Sequence, residues 1–178
     1  MNQRRSFLKS SVALASAMSL PALAKTAQAA PGERTLRLYN THTGETVRSV
    51  FWAEGQFIPD ALQDINKVLR DHRNNKIAPI DPQLLVLLNE VSAKFGDNQL
   101  VHVISGYRSP ESNAMLHAHS SGVAKRSMHM DGKAIDIRLP GKDLAQLRKA
   151  AMSMRAGGVG YYPSSQFVHM DTGRVRYW

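Results

Sequence analysis

Cysteine is absent from this 178-residue chain, acidic residues are outnumbered by basic ones at 14 to 23, and long apolar runs are scarce. Without cysteine no disulfide framework can form, so the folded domain must depend on its apolar core, on a bound metal, or on both. The apolar stretch SVALASAMSLPALA is too short and too rich in alanine and serine to predict a membrane span. The length suits one compact domain and is too small for two.

The first 29 residues contain the three parts of an export signal. A basic start, MNQRRSFLK, precedes the apolar stretch, and AQA at Ala27–Ala29 forms a small-residue cleavage site. Arg4 and Arg5 followed by SFLK are typical of a twin-arginine signal, which exports folded proteins. An ordinary secretion signal and an uncleaved anchor are the alternatives. We therefore expect a signal peptide over residues 1–29, a domain over residues 30–178, and a periplasmic protein without a stable membrane anchor after cleavage.

Removal of this signal changes the charge of the protein. The signal contains four basic residues and no acidic ones, so the formal net charge falls from +9 to +5 on the remaining 149 residues. A mild positive charge suits approach to an anionic polymer. An export signal argues against nucleic acid as that polymer. We also expect the protein to be a monomer.

Apolar periodicity in the domain predicts helices first and mostly strands afterwards. TLRLYN and ETVRSVFW flank a glycine-containing turn and predict a hairpin. Helices are predicted over Pro59–Arg73, from Pro82 to Gly96 with Asp81 as the cap, from Ser109 onward, and within GKDLAQLRKAAMSMRAGG. LVHVIS, KAIDIRL and three short C-terminal segments predict strands. This order indicates a small single α+β domain in which helices pack on an antiparallel sheet.

The tripeptide His-Met-Asp occurs twice, beginning at His129 and at His169, and raises the possibility of a metal site. His129 precedes Asp136 by seven positions with Gly132 between them, so a loop residue can turn back to meet the next strand. A catalytic zinc site supplies three imidazole or carboxylate ligands and leaves the fourth position to water. His129, Asp136 and His169 would form such a set, although this spacing also arises by chance in a chain with seven histidines.

Three segments resemble one family of peptidases. SMHMDGKAID fits the Ser-x-His-x-x-Gly-x-Ala-x-Asp motif of the zinc peptidases of the D-Ala-D-Ala type, relatives of lysostaphin and the hedgehog fold. SGYRSP resembles the arginine loop of that family, and FVHMDTGRVRYW resembles the final-ligand strand of its MepK/YcbK-like murein endopeptidase branch. The matched motif positions are Ser127, His129, Gly132, Ala134 and Asp136.

The resemblance implies that His129, Asp136 and His169 hold Zn²⁺ and that bound water attacks a peptide carbonyl. It implies that Arg108 stabilises negative charge or binds a substrate carboxylate, and that Ser127 positions the substrate. The function implied is an exported murein endopeptidase acting on peptidoglycan stem peptides. The alternatives are a D,D- or L,D-carboxypeptidase of the same fold and an inactive, metal-containing module that binds peptidoglycan.

The proton acceptor stays open at this point. Many of these peptidases place a carboxylate three residues before the last ligand, or a histidine two residues before it, but Gln166 and Phe167 occupy those positions here. Asp171 is a candidate catalytic base because the period of a strand places it on the same face as His169. Orienting His169 is the alternative role for Asp171, and a base from another loop is a third possibility.

Other residues attract simpler interpretations. His102 alternates with apolar neighbours and is expected to be structural, whereas His117 and His119 lack a carboxylate at useful spacing. The C-terminal aromatic residues, Tyr162 and Trp178 among them, either line a groove or cap the core of the sheet.

Overall fold

The computed structural model describes residues 32–120 and 122–178, so the predicted signal peptide lies outside the described residues. No helix within those ranges combines the length and apolarity that crossing a membrane requires. A short 3₁₀ turn covers Met128–Asp131. The remaining elements follow in chain order: β1 Arg34–Asn40, β2 Thr46–Ala53, β3 Gln56–Phe57, α1 Pro59–Val68, α2 Pro82–Ala93, β4 Leu100–Ser105, α3 Pro110–His119, β5 Ala134–Arg138, α4 Leu144–Met154, β6 Gly158–Tyr162, β7 Phe167–Asp171 and β8 Arg176–Tyr177.

These strands form one eight-stranded sheet in the order β3-β2-β1-β4-β5-β7-β6-β8. The predicted α+β single domain is confirmed, but the sheet is mixed rather than wholly antiparallel. β1 pairs in parallel with β4, and β6 pairs in parallel with β8. The first parallel pair arises because the chain leaves the hairpin through α1 and α2 before β4 returns beside β1. The predicted hairpin is β1 and β2.

Helices α1, α2 and α4 supply the apolar cover of the sheet. α1 lies against β2, α2 against β1, and α4 against β6 and β7. The core between the layers includes the fully buried side chains of Leu38, Phe51, Ile65, Leu88 and Ile137. Burial of such large apolar side chains is the main source of stability in a domain without disulfides.

The helix starts agree with their sequence signals, whereas two helix ends come earlier than predicted: α2 ends at Ala93, ahead of Gly96, and α1 ends before residue 73. The Asp81 side chain accepts a hydrogen bond from the Gln83 amide, as a cap of α2 should. Ser109 caps α3 in the same way. α1 ends at Val68 instead of continuing to residue 73, because the Leu69 carbonyl accepts a hydrogen bond from the Tyr107 amide at 2.7 Å. This contact ties the end of α1 to the loop that follows β4.

Candidate active site

Three predicted metal ligands lie together at the middle of the sheet. His129 lies in the 3₁₀ turn before β5, Asp136 lies in β5, and His169 is its direct partner in β7. The three side chains are buried, and one potential ligand atom from each lies within 4.8 Å of the others. The register of β5 on β7 therefore brings together residues that are 33 positions apart in the sequence.

A backbone carbonyl fixes the orientation of His129. The Nδ1 atom of His129 lies 2.7 Å from the Gly106 carbonyl oxygen, to which it donates a hydrogen bond. The Nε2 atom is thereby the acceptor nitrogen, and it lies 3.3 Å from the Nδ1 atom of His169 and 3.3 Å from Asp136 Oδ2. His129 thus presents Nε2 to the cluster.

His169 is oriented through its other ring nitrogen, Nε2. Its Nε2 atom lies 3.0 Å from Asp171 Oδ2, while its Nδ1 atom lies 2.8 Å from Asp136 Oδ1. Buried ring nitrogens that face one another repel unless a proton or a cation is shared between them. Two imidazole nitrogens and one carboxylate, all buried and convergent, fit a divalent cation of the zinc type.

Asp171 is completely buried and its oxygens have many donors. It accepts hydrogen bonds from the Gly158 amide at 3.0 Å, from the Gly173 amide at 2.9 Å, and from Arg176 at 2.7 and 3.0 Å. Burial raises the pKa of the Asp171 carboxyl, but His169, Arg176 and the two amides outweigh burial and hold the pKa well below its usual range. Asp171 is therefore an anion that faces the outer nitrogen of His169.

The electrostatics of the trio favour an ionised carboxylate. Burial raises the pKa of the Asp136 carboxyl, but His129 and His169 outweigh burial and hold this pKa well below its usual range. Burial lowers the pKa of His169, but the hydrogen bonds to Asp136 and Asp171 overcome that effect and raise it to about 8. A cation that binds here consequently replaces a proton on His169 and meets a ready-formed carboxylate.

Arg108 lies in the loop between β4 and α3, and the same loop supports the 3₁₀ turn that contains His129. Its backbone amide donates a hydrogen bond to the His129 carbonyl at 3.1 Å. The residue is about nine-tenths buried, and its guanidinium contacts Asn113 Oδ1 at 3.3 Å and Ser105 Oγ at 3.5 Å, while Nε has no hydrogen-bond partner. Burial lowers the pKa of Arg108 and the nearby Asp136 charge opposes that effect. The guanidinium keeps its charge at neutral pH.

Ser127 caps the 3₁₀ turn. Its hydroxyl accepts a hydrogen bond from the His129 amide at 3.4 Å, and the residue also lines the cleft over the cluster. Gly132 ends the turn with φ +65°, and a Cβ atom at this position would meet the Pro79 backbone oxygen. Glycine is required here because it tolerates both the left-handed backbone and the close approach.

An open cleft of about 390 Å³ exposes the cluster to solvent. Its floor contains the three convergent donors and Arg108. Residues 122–124, 126 and 127 line one side of the cleft, and Tyr162, Phe167 and Trp178 line another. A peptide can therefore reach the donors from outside.

Gln166 and Phe167, the positions at which the resemblance would place a base, have other contacts here. Gln166 has φ 56° in the turn before β7, and its side-chain amide donates a hydrogen bond to the Pro163 carbonyl. Phe167 stacks on Tyr162 with 4.5 Å between ring centroids. Neither residue approaches the cluster as a proton acceptor.

The remaining histidines do not join the trio. His117 and His119 are exposed on α3, where their Nδ1 atoms lie 2.7 Å from backbone carbonyl oxygens. His42 stacks on His72 at 3.9 Å, and His102 lies against an aromatic ring of β1. The sequence did not identify Gly106, Asn113 or Arg176 as supports of the site. Only the RVRYW segment, which belongs to the family resemblance, pointed towards Arg176.

The α+β fold and the buried His-Asp-His donor set at the base of an open cleft are typical of a peptidase that uses a bound ion. Residues 28–178 match the family model described as "Peptidoglycan L,D-endopeptidase MepK", and the chain belongs to that peptidase family.

Curated relatives of this chain carry the same description. The Escherichia coli K12 protein "Peptidoglycan L,D-endopeptidase MepK" is 45% identical over 177 residues, which cover 99% of this chain and 97% of the relative. The Haemophilus influenzae Rd protein "Probable peptidoglycan L,D-endopeptidase MepK" is 42% identical over 149 residues, which cover 83% of this chain and 80% of the relative. No solved structure matches the chain significantly.

Proposed function

We propose that this chain is an exported, zinc-dependent murein endopeptidase that cleaves peptide cross-links of peptidoglycan. The observation that carries the proposal is the convergence of three buried donors, His129, Asp136 and His169, below an open cleft. The printed names of the relatives supply the substrate class, since they describe peptidoglycan endopeptidases.

His129, Asp136 and His169 would hold the ion through Nε2, a carboxylate oxygen and Nδ1, respectively. Bound zinc supplies an activated water for attack on an amide carbonyl at neutral pH. The Gly106 carbonyl and Asp171 each occupy the other nitrogen of one imidazole, which keeps both rings directed at the same point.

Arg108 supplies positive charge to the floor of the cleft. Its buried guanidinium has a free Nε donor and lies close enough to Asp136 for their charges to interact. A guanidinium in this position stabilises negative charge that develops on the attacked carbonyl, or binds a stem-peptide carboxylate. Ser127 lines the same cleft and contributes a hydroxyl for positioning the substrate.

For Asp171 we favour orienting His169 over catalysing proton transfer. Its oxygens already accept hydrogen bonds from two backbone amides and from Arg176, besides the contact with His169. A carboxylate with a strongly lowered pKa is a weak proton acceptor. The proton acceptor then comes from elsewhere in the cleft.

The predicted export signal and the proposed substrate class together support a periplasmic location by the twin-arginine route, and the mature protein is proposed to act as a monomer. Wall stem peptides carry free carboxylates, to which the mild positive charge of the mature domain is complementary.

Metal content and peptide release, measured on the same samples, test the proposal. Zinc-loaded wild type should convert cross-linked muropeptide dimers of purified sacculi to monomers, as measured by chromatography. Asp136→Ala should lose stoichiometric zinc and reduce release by more than about 100-fold, because a ligand is missing. Asp131→Ala is the matched control, since Asp131 is exposed in the first His-Met-Asp tripeptide and should leave both quantities unchanged.

The products also separate the alternatives. Trimming of pentapeptides to tetrapeptides, with dimers left intact, would show a carboxypeptidase. Binding to sacculi without release of any soluble fragment by zinc-loaded wild type would show a binding module. Full release by zinc-free Asp136→Ala would refute the metal mechanism.

A further inference from the structure

Trp178 lies next to the donor cluster, directly after β8. Its ring centroid is 5.3 Å from that of His169, and its Nε1 atom donates a hydrogen bond to the Tyr162 hydroxyl at 2.8 Å. The Arg176 guanidinium lies 4.9 Å from the centroid of the indole. The ring is thus held between the metal-binding strand and an aromatic neighbour on β6.

The backbone on either side of the indole is also fixed. The Trp178 amide donates to the Val159 carbonyl at 3.2 Å, and the Trp178 carbonyl accepts from the Tyr161 amide at 3.0 Å. Between those two residues lies Gly160, where a Cβ atom would lie 2.7 Å from the indole. Gly160 is the register partner of His169, so the space left by its missing side chain allows the indole to lie beside that ligand.

The indole nevertheless stays open to solvent. Trp178 is 45% exposed, and it lines the cleft together with Tyr162 and Phe167. A ring that only capped the core would bury its surface, whereas this ring is rigidly held and keeps an apolar surface beside the donors. Tryptophan held in this way provides a large contact area and loses little conformational freedom on binding.

We propose that Trp178 is a substrate-positioning residue whose exposed indole surface packs on the aliphatic part of the stem-peptide residue lying over His169. The inference rests on the proposed function, because it assigns the substrate that the cleft receives. Stem peptides combine methyl and methylene groups with carboxylates. The indole supplies the apolar contact, while the Arg108 guanidinium on the cleft floor supplies the charged one.

Steady-state kinetics on a soluble cross-linked muropeptide dimer test this role. Trp178→Ala should raise KM roughly tenfold with kcat within about threefold of wild type, because an apolar contact away from the reacting atoms binds substrate and transition state equally. Trp178→Phe should recover most of the affinity. Tyr177→Ala is the matched control: Tyr177 is the preceding residue, is similarly exposed at 41%, and does not line the cleft.

Zinc content and melting temperature must accompany these kinetics. Arg176 contacts both the indole and Asp171, so removal of the ring could act through the support of His169. Loss of zinc or of kcat in Trp178→Ala, or an equal KM change in Tyr177→Ala, would assign the effect to structure and overturn the proposal. An unchanged KM in Trp178→Ala would overturn it as well.

A binding measurement separates this inference from the proposed function. The chain has two tryptophans, so Trp52→Phe leaves Trp178 as the sole indole fluorophore. Titration of this variant, stripped of zinc, with the dimer should shift the indole emission to shorter wavelength as water is displaced. If wild type with zinc releases no monomer, the proposed endopeptidase fails. In that case the titration still tests the role of Trp178 in binding, and an unchanged emission spectrum would reject that role.

Discussion

Each imidazole of the donor cluster has one nitrogen engaged by the protein and the other directed at its neighbours. His129 is fixed through Nδ1 by a backbone carbonyl, and His169 is fixed through Nε2 by a buried carboxylate. A carbonyl oxygen requires an N–H, so His129 carries its proton on Nδ1, and His169 keeps its proton on Nε2 once a cation replaces the proton between Nδ1 and Asp136. The two histidines therefore present different atoms to the same point.

Asp171→Asn tests the orienting role of that carboxylate. The amide keeps the size of the side chain but removes the charge that faces His169 and Arg176. We expect zinc affinity to fall about 10–100-fold, with kcat at saturating zinc within a few-fold of wild type. Zinc titration by calorimetry and kinetics over a range of zinc concentrations measure both quantities. A loss of kcat above about 100-fold in the fully loaded variant would instead identify Asp171 as the base.

His72 should make the metal-free protein sensitive to acid. Burial, followed by the charges of Arg73 and His42, lowers its pKa from 6.5 to about 4. The unfolded chain then binds a proton between these two pH values and the folded chain does not, so stability present above pH 6.5 is lost as the pH falls towards 4. After a discount for solvent contact, we expect a loss of about 1–2 kcal/mol.

Urea unfolding of chelator-treated protein at pH 7.5 and 4.5 measures this loss of stability. His72→Phe keeps a ring to stack on His42 and should lose less stability on acidification than wild type does. The exposed control His119→Phe should behave as wild type. Equal losses in wild type and His72→Phe would show that other groups cause the acid sensitivity.

At the scale of elements, the cost of a side chain can be compared between Gly132, which ends the 3₁₀ turn, and Gly141, which lies between β5 and α4. Gly132 and Gly141 both have positive φ, at +65° and +70°, but only Gly132 has backbone atoms where a Cβ would lie. Gly141→Ala should cost about 1 kcal/mol from the backbone conformation alone. Gly132→Ala should cost more than about 3 kcal/mol, because Pro79 must also move. Urea unfolding of both variants measures the difference, and equal costs would contradict the steric explanation.

The helices and the hairpin could be predicted because their signals are local. Asp81 and Ser109 cap the helices that follow them, and alternation of apolar residues identified β1 and β2. The end of α1 and the parallel pairing of β1 with β4 could not be predicted, since both depend on contacts between distant segments. The Leu69 carbonyl, for example, is occupied by the Tyr107 amide, which no pattern within the helix indicates.

The candidate site also has one part that the sequence predicted and another part that it did not. The motif pointed to the trio that the structure brings together, because ligand identity is a property of side chains. The contact of the Gly106 carbonyl with His129 could not be predicted, because a backbone atom leaves no mark in the sequence. Arg176 could not be distinguished from the other arginines without its contact with Asp171. Contacts that orient the site through backbone atoms and salt bridges depend on the three-dimensional fold, so the sequence motif does not predict them.

For the whole molecule, zinc should act as a stabilising ligand. The 3₁₀ turn, β5 and β7 each supply one donor, so an ion that binds all three favours the folded state. Free zinc at a thousandfold excess over Kd should add about 4 kcal/mol and raise Tm by roughly 10 °C. Scanning calorimetry with and without zinc measures the shift. His169→Ala should abolish it and His119→Ala should retain it, and a shift that survives in His169→Ala would place the ion elsewhere.

The pairing of β5 with β7 has a consequence for biogenesis. During translation the nascent chain carries His129 and Asp136 out of the ribosome well before His169, and the third donor arrives only when the later strand aligns beside the earlier one. An ion that needs all three donors can be captured only after β7 has paired with β5, so we expect the metal pool of the compartment in which folding finishes to determine which element the proposed enzyme receives.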